Sequence, residues 1–286
     1  MSALPRAIPT TAPFNEILVH IPPDESADAV IASAVSMARL FAAHIDGVIA
    51  VEQSDGRHGA YETGPSPLEI VAAFEDTMKA AARRILRFEM AAQEAGISYG
   101  KRVISNPAEI VDQMLLYISR LYDLSIVAQP KRSVSAGPFP KAMLFDSGRP
   151  VILIPRTHAG GIVLDHITIC WDGGRCAARA VHDAMPLLEN ARSIDIIAVN
   201  EGSEFFEPSS DALASHLTRR RLNIQVKRPK AEHTDIHRTI MAVATEAGSR
   251  LVIMGGYGHS KEGRFVPGGV TRDALHAMSI PTFMSF

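Results

Sequence analysis

Leu251-Val252-Ile253-Met254-Gly255-Gly256-Tyr257-Gly258, followed after nine residues by Gly268-Gly269-Val270-Thr271, joins an apolar strand to the start of a helix through a glycine-rich loop. Glycine lets backbone amides approach an anion with no Cβ in the way, and the helix that follows adds unpaired N–H groups and the positive end of its dipole. The pattern G-x-x-G-x9-G-G lacks the Gly-Lys-Ser/Thr that closes a Walker loop, and it is not G-x-G-x-x-G. His259, Lys261 and Arg264 supply positive charge within the segment, as anion ligands or as solvated side chains. Two readings of the loop stand: a phosphate cradle, or a tight strand-to-helix turn that needs glycine for its own geometry.

Outward from this loop the chain repeats itself. Ile17 to Ile21 reads as a strand, 27–43 as a helix and Val48 to Val51 as a second strand; Ile167 to Trp171, a helix from about Cys176 to Glu189, and Ile194 to Val199 follow the same plan. The later parts also correspond. Helices at 65–95 and 209–221 precede strands at 98–104 and 223–228, and capped helix starts at Asn106-Pro107 and Thr234-Asp235 precede strands at 124–128 and 251–254. Each half closes with a short helix and an edge-type strand, at 150–154 and 281–284. This is β-α-β-α-β-α-β-α-β written twice, the order of a parallel sheet covered by helices. It predicts a first domain over 1–155, a linker around Gly160-Gly161, and a second domain over 164–286.

The 286 residues suit two domains, each large enough to bury a core. A formal charge of −2, from 29 basic and 31 acidic residues, gives no global electrostatic reason to expect nucleic acid or an anionic membrane as partner. Met1 to Phe14 holds three prolines, one arginine and no apolar run, so neither a secretory signal nor a membrane anchor is expected, and a soluble cytoplasmic protein is. Cys170 and Cys176 make no disulfide scaffold and no zinc site. Cys176, near a helix start, is either a thiol of lowered pKa or a small packing residue.

Trp171-Asp172-Gly173-Gly174-Arg175, the alanine-rich helix over Ala177 to Val181, Pro186 near its end and the glycine loop together resemble the universal stress protein family in its tandem two-domain form, over nearly the whole chain. The resemblance implies an α/β fold of two tandem domains, each a five-stranded parallel sheet in the order 3-2-1-4-5 with helices on both faces. It implies that ATP, possibly with Mg2+, lies in the crevice where the strand order reverses. Asp172 and the backbone around Val199 would hold adenine and ribose. Gly255, Gly258, Gly268 and Gly269 would hold the phosphates, beside His259, Val270 and Thr271 at the loop and the helix start. Gly269 stands where the family pattern has a serine or threonine, so a phosphate-bound hydroxyl is lost, and Thr271 is the candidate to replace it in part. Asp172 also reads as a helix N-cap.

The first half lacks these features. Its first strand runs into Pro22-Pro23-Asp24 and its fourth into Gln129-Pro130-Lys131-Arg132, so no phosphate cradle is expected there and the half reads as structural or partner-binding. No pyrophosphatase Ser-Gly-Gly-x-Asp-Ser loop and no G-x-S-x-G elbow occurs. His233 and His237 straddle a helix boundary and read as exposed rather than as metal ligands. Asp24 with Glu25, and Glu201 with Glu204, read as unpartnered surface pairs. The expected function is non-catalytic binding of an adenine nucleotide, with a protein-interaction module of the same fold as the alternative. Slow ATP hydrolysis would need a base that the sequence does not identify. The apolar strand at 281–286 must pair, between the two halves as a pseudo-dimer or between chains as a homodimer.

Overall fold

The computed structural model describes residues 14–53, 66–130, 139–202, 209–256, 258–261, 264–267 and 269–286; of Pro67, Ala108, Glu109, Phe139, Pro140, His233, residues 258–261 and 264–267, Gly269 and residues 272–274 it describes the backbone only. The early proline-containing segment 1–13, Lys131, Arg132, Glu204 and Gly268, all singled out above, lie outside the described residues.

The first half runs β1 (Glu16–His20), α1 (Ala27–Phe41), β2 (His44–Glu52), α2 (Pro67–Glu94), β3 (Tyr99–Asn106), α3 (Ala108–Ser119), β4 (Leu124–Ala128), α4 (Phe139–Asp146) and β5 (Val151–Ile154). The second runs β6 (His166–Cys170), α5 (Arg175–Asp183), α6 (Met185–Leu188), β7 (Ser193–Ile197), α7 (Ser210–Thr218), β8 (Ile224–Lys227), a 3-10 turn (His233–Asp235), α8 (Ile236–Glu246) and β9 (Leu251–Gly255), then β10 (Gly258–Lys261), β11 (Arg264–Pro267), α9 (Gly269–Ala277) and β12 (Thr282–Ser285).

The strands form one ten-stranded sheet in the order β3-β2-β1-β4-β5-β12-β9-β6-β7-β8, so each half reads 3-2-1-4-5 from its own outer edge. Pairing is parallel within each half and antiparallel only at the centre, where Thr282, Phe283 and Met284 face Leu153, Ile152 and Val151. The C-terminal strand is therefore not an edge: β12 lies between β5 and β9 and is fully buried, so the two halves share a single sheet. Side chains alternate across it. Ile17 and Val19 enter the layer that contains Val30, Met37, Phe88, Ala177 and Leu187, and Leu18 enters the layer that contains Leu115, Met143, Ile240 and Leu275. Both layers run across the central seam, which is why the strands beside it, with helices on either face, are continuous apolar runs.

Several local expectations change. The helix expected over 176–189 breaks into α5 and α6 at Ala184, because Pro186 has no N–H to give to the preceding turn. Asn106 does not cap α3. It ends β3, and its amide points to Met114 Sδ at 3.6 Å, while Pro107 takes the N-cap position without a side-chain bond. Likewise a 3-10 turn precedes α8, and Asp235 makes no side-chain cap. By contrast α2 starts on a capping box, Ser66 with Glu69, and has Pro67 in its first turn.

Asp24 and Glu25 are not bare surface. Arg156, the second residue beyond β5, donates to Asp24 Oδ2 at 2.8 Å and to Glu25, while Asp24 Oδ1 turns the chain into α1 by accepting the Ser26 N–H at 3.1 Å. Farther along the linker, the Ile162 N–H donates to Ser36 Oγ at 2.8 Å, which fastens the segment to α1. Removing the guanidinium as Arg156→Ala is expected to cost about 1 kcal/mol. A urea-denaturation double-mutant cycle with Asp24→Asn checks this, and additivity of the two changes would show that the ion pair contributes nothing.

Candidate functional site

β6 and β9 lie side by side and the chain leaves them in opposite directions along the sheet, so a crevice opens at their carboxyl ends. Beyond β6, the Trp171 N–H bonds to Ile197 O at 2.9 Å. Asp172 Oδ1 then accepts the Gly174 N–H at 2.8 Å, and Gly173 takes φ 72°, a conformation that a side chain would strain. The carboxylate thus shapes the loop two residues ahead of α5, whose N-cap is Gly174; the N-cap reading of Asp172 is replaced by an Asx turn.

Gly255 ends β9. A Cβ there would lie 2.5 Å from the Cys176 carbonyl carbon and 2.6 Å from the Ala177 nitrogen, so glycine is required by the close approach of α5. Gly256 donates its N–H to Ser285 O at 2.7 Å, and a Cβ on it would meet Leu144 of α4 at 3.0 Å. The first two glycines of the loop therefore have packing reasons of their own. Between Gly258 and Pro267 the chain forms an antiparallel hairpin, β10 with β11, where the sequence suggested an irregular loop. Gly258 and His259 open this hairpin, and Gly269 is the first residue of α9.

A cavity of about 290 Å³ occupies the crevice, and Asp172, Val199, Gly255, Val270 and Thr271 all line it. Its walls also include Trp171, Ile236, Ile240 and Met254, which sequence reasoning did not select. The spacing of Ile236 and Ile240 on a helix marked a buried face without saying that the face borders a cavity. Cys170 and Cys176 line it too. Burial pushes the Cys170 thiol up to about 12, reinforced by the Asp172 charge. Burial also raises that of Cys176 against the pull of Arg175, so of its two readings the structure bears out the small packing residue. His237, read as exposed, is buried on the inner side of α8, three, four and seven residues before Ile240, Met241 and Ala244 and so on the same helical face. Glu201 is likewise engaged: burial alone would raise its carboxyl, but bonds from Ser210 and Arg228 hold it below the usual range.

At the corresponding ends of β1 and β4 the first half places His20 and Gln129. Gln129 is buried and reaches the N–H groups of Ala277 and Met278 at 3.2 and 3.1 Å, so side chains stand where the second half has glycines. Among the described residues, no group of three or more His, Cys, Asp or Glu could hold a metal, and no helix is long and apolar enough to cross a membrane.

The paired 3-2-1-4-5 units with a crevice at the switch point define the α/β fold of tandem universal stress proteins. The chain is similar to the structure of a universal stress protein from Archaeoglobus fulgidus DSM 4304, with a TM-score of 0.68 at 14% identity over 95% of this chain and 98% of that one. It is also similar to a functionally unknown protein from Pseudomonas aeruginosa PAO1, with a TM-score of 0.61 at 15% identity over 95% of this chain and 92% of that one. At these identities the likeness is one of fold. No protein-family model and no curated protein sequence matches the chain.

Proposed function

We propose that the chain is a tandem universal stress protein of the cytoplasm that binds an adenine nucleotide, without catalysing a reaction, in its second half. The observation that supports this is the meeting of Asp172, Val199, Gly255, Val270 and Thr271, from four separate segments, around one cavity at the switch point. A volume of about 290 Å³ is at the low end for ligand pockets and suits a nucleoside, with phosphates continuing toward the hairpin and the first turn of α9. Trp171, Ile236, Ile240 and Met254 offer apolar walls for a base. Asp172 spends one lone pair on Gly174, and a carboxylate has further acceptor sites for ribose hydroxyls. Gly258, His259, Gly268 and Gly269 would present backbone N–H groups to the phosphates, with any Mg2+ carried by the phosphates themselves. In this reading residues 1–155 form a degenerate unit that binds no nucleotide, and 164–286 the binding unit.

Asp172→Ala is expected to weaken binding of Mg-ATP about tenfold, the loss of one charge-assisted hydrogen bond. Calorimetry and mass spectrometry of ligand released from the purified protein provide the check. No adenine compound in the released fraction, together with no heat on titration with millimolar Mg-ATP, rejects the proposal. Those results would favour the second reading, an interaction module without nucleotide, which the packing roles of Gly255 and Gly256 and the lost hydroxyl at Gly269 support.

A further inference from the structure

The two halves share one plan, yet at the amino-terminal ends of their strands they differ sharply in charge. Equivalent positions follow from the strand registers: Ile45 pairs with Tyr99 as Ile194 pairs with Ile224, and Ile17 with Leu124 as Ile167 with Leu251. Where the first half has Ala43, Glu94, Ala95, Gly96 and Asp123, the second has Arg192, Arg219, Arg220, Arg221 and Arg250. All five arginines are exposed. They immediately precede β7, β8 and β9, which stand with β6 in the order β9-β6-β7-β8, so they form a row about 14 Å long, three strand spacings. The overall charge of −2 conceals this local excess.

The fold does not ask for these side chains. The Ile97 N–H returns to Ala92 O and the Leu222 N–H to Leu217 O, so Gly96 and Arg221 close the same kind of helix ending, and both take φ 65°. Glycine suits that conformation, and an arginine stands there against the preference of its own backbone. Two of the five are partly neutralised: Arg192 lies 3.8 Å from Asp165, and Arg220 donates to Glu189 at 3.3 Å. Arg219 meets the imidazole of His216 at 3.4 Å, and among the described residues no carboxylate pairs with Arg219, Arg221 or Arg250.

We infer that this row binds the phosphate backbone of duplex nucleic acid without reading its sequence. Every cation in it is a guanidinium, the planar fork that matches phosphate oxygens. An acidic protein partner would need apolar anchors, and beyond Val163 none of the described residues is a large hydrophobic side chain left exposed. The same lack of exposed rings removes the stacking platform on which single strands depend. Strand spacing sets the arginines at intervals nearer those of successive phosphodiesters than those of adjacent phosphates in an anhydride chain. The row lies at the opposite end of the strands from the cavity, so the contact does not depend on the nucleotide.

Fluorescence anisotropy of a labelled duplex of about 20 base pairs, titrated with the full chain, tests this. Neutralising three to five phosphates predicts a log–log salt slope between about −2.7 and −4.5, a loss of about 40-fold to 500-fold in affinity from 50 to 200 mM salt. Arg221→Gly installs the residue that the first half carries in the same conformation, so it should fold at least as well as the parent. It should weaken binding about tenfold at 50 mM salt and make the slope shallower by about one, and Arg250→Gln should do the same. Arg83→Gln, on the exposed side of α2 in the first half, should change neither. No anisotropy change up to about 100 μM protein at 50 mM salt overturns the inference, since even non-specific binding reaches that range. An affinity untouched by Arg221→Gly and Arg250→Gln overturns it by placing the contact elsewhere. Binding of linear polyphosphate or of a single strand, without binding of the duplex, overturns it by naming a different ligand.

Discussion

Gly255→Ala is expected to lower the unfolding free energy by about 2 to 3 kcal/mol, because the added carbon would stand 2.5 and 2.6 Å from backbone atoms of Cys176 and Ala177. Backbone in the first turn of α5 cannot move aside as a rotamer can, so β9 and α5 must separate and the cavity wall between them opens. Gly256→Ala supplies the control. Its new contact is the Leu144 side chain at 3.0 Å, which can rotate, and the expected cost is under about 1 kcal/mol. Urea denaturation of both variants tests the pair: the Gly255 midpoint should fall well below the Gly256 midpoint at similar slope. Equal midpoints would mean that the strand and helix are not in the tight contact on which the site depends.

Acid is expected to destabilise the fold through His20. Burial lowers its pKa from 6.5 to about 4, with Asp24 acting weakly in the opposite sense. Between those values the unfolded chain binds the proton and the folded protein does not, so stability rises with pH across this window. The contribution is complete above about pH 6.5 and is lost as pH falls toward about 4, by about 2 to 3 kcal/mol in all. His158, also lowered by burial, adds in the same direction. Urea denaturation from pH 7 to about 4.5 should show the decline, and His20→Gln should flatten it. An unaltered slope in that variant would show that His20 is hydrated in the folded state.

Much of this architecture was readable because it is local. The runs 251–254 and 167–171 and the alternation of strands and helices follow from the period of apolar residues. The expectation that Asp172, Val199 and Thr271 border one crevice came instead from the family resemblance, which implied the strand order and with it the place where a parallel sheet opens. What escaped was non-local. The ion pair between Arg156 and Asp24 joins residues 132 apart in sequence, and nothing near either one announces the other. Gly255 was read as a ligand position, and the close approach of α5, which gives it a packing role as well, was not visible in the sequence. The burial of His237 depended on which face of α8 meets the core, and the pairing of β10 with β11 had no alternating apolar pattern to reveal it.

The antiparallel seam between β5 and β12 also governs how the protein can fold. Val151 and Met284 pair in the middle of the sheet, so the partner of β5 is supplied only after the second half has been synthesised as far as β12. Until then β5 offers the unpaired edge of a strand that is wholly apolar, Val151-Ile152-Leu153-Ile154, the kind of edge that recruits other chains. Closing so long a loop is slow. The nascent first half should therefore be the aggregation-prone stage of biogenesis, and its rescue by the final strand the step that chaperones protect.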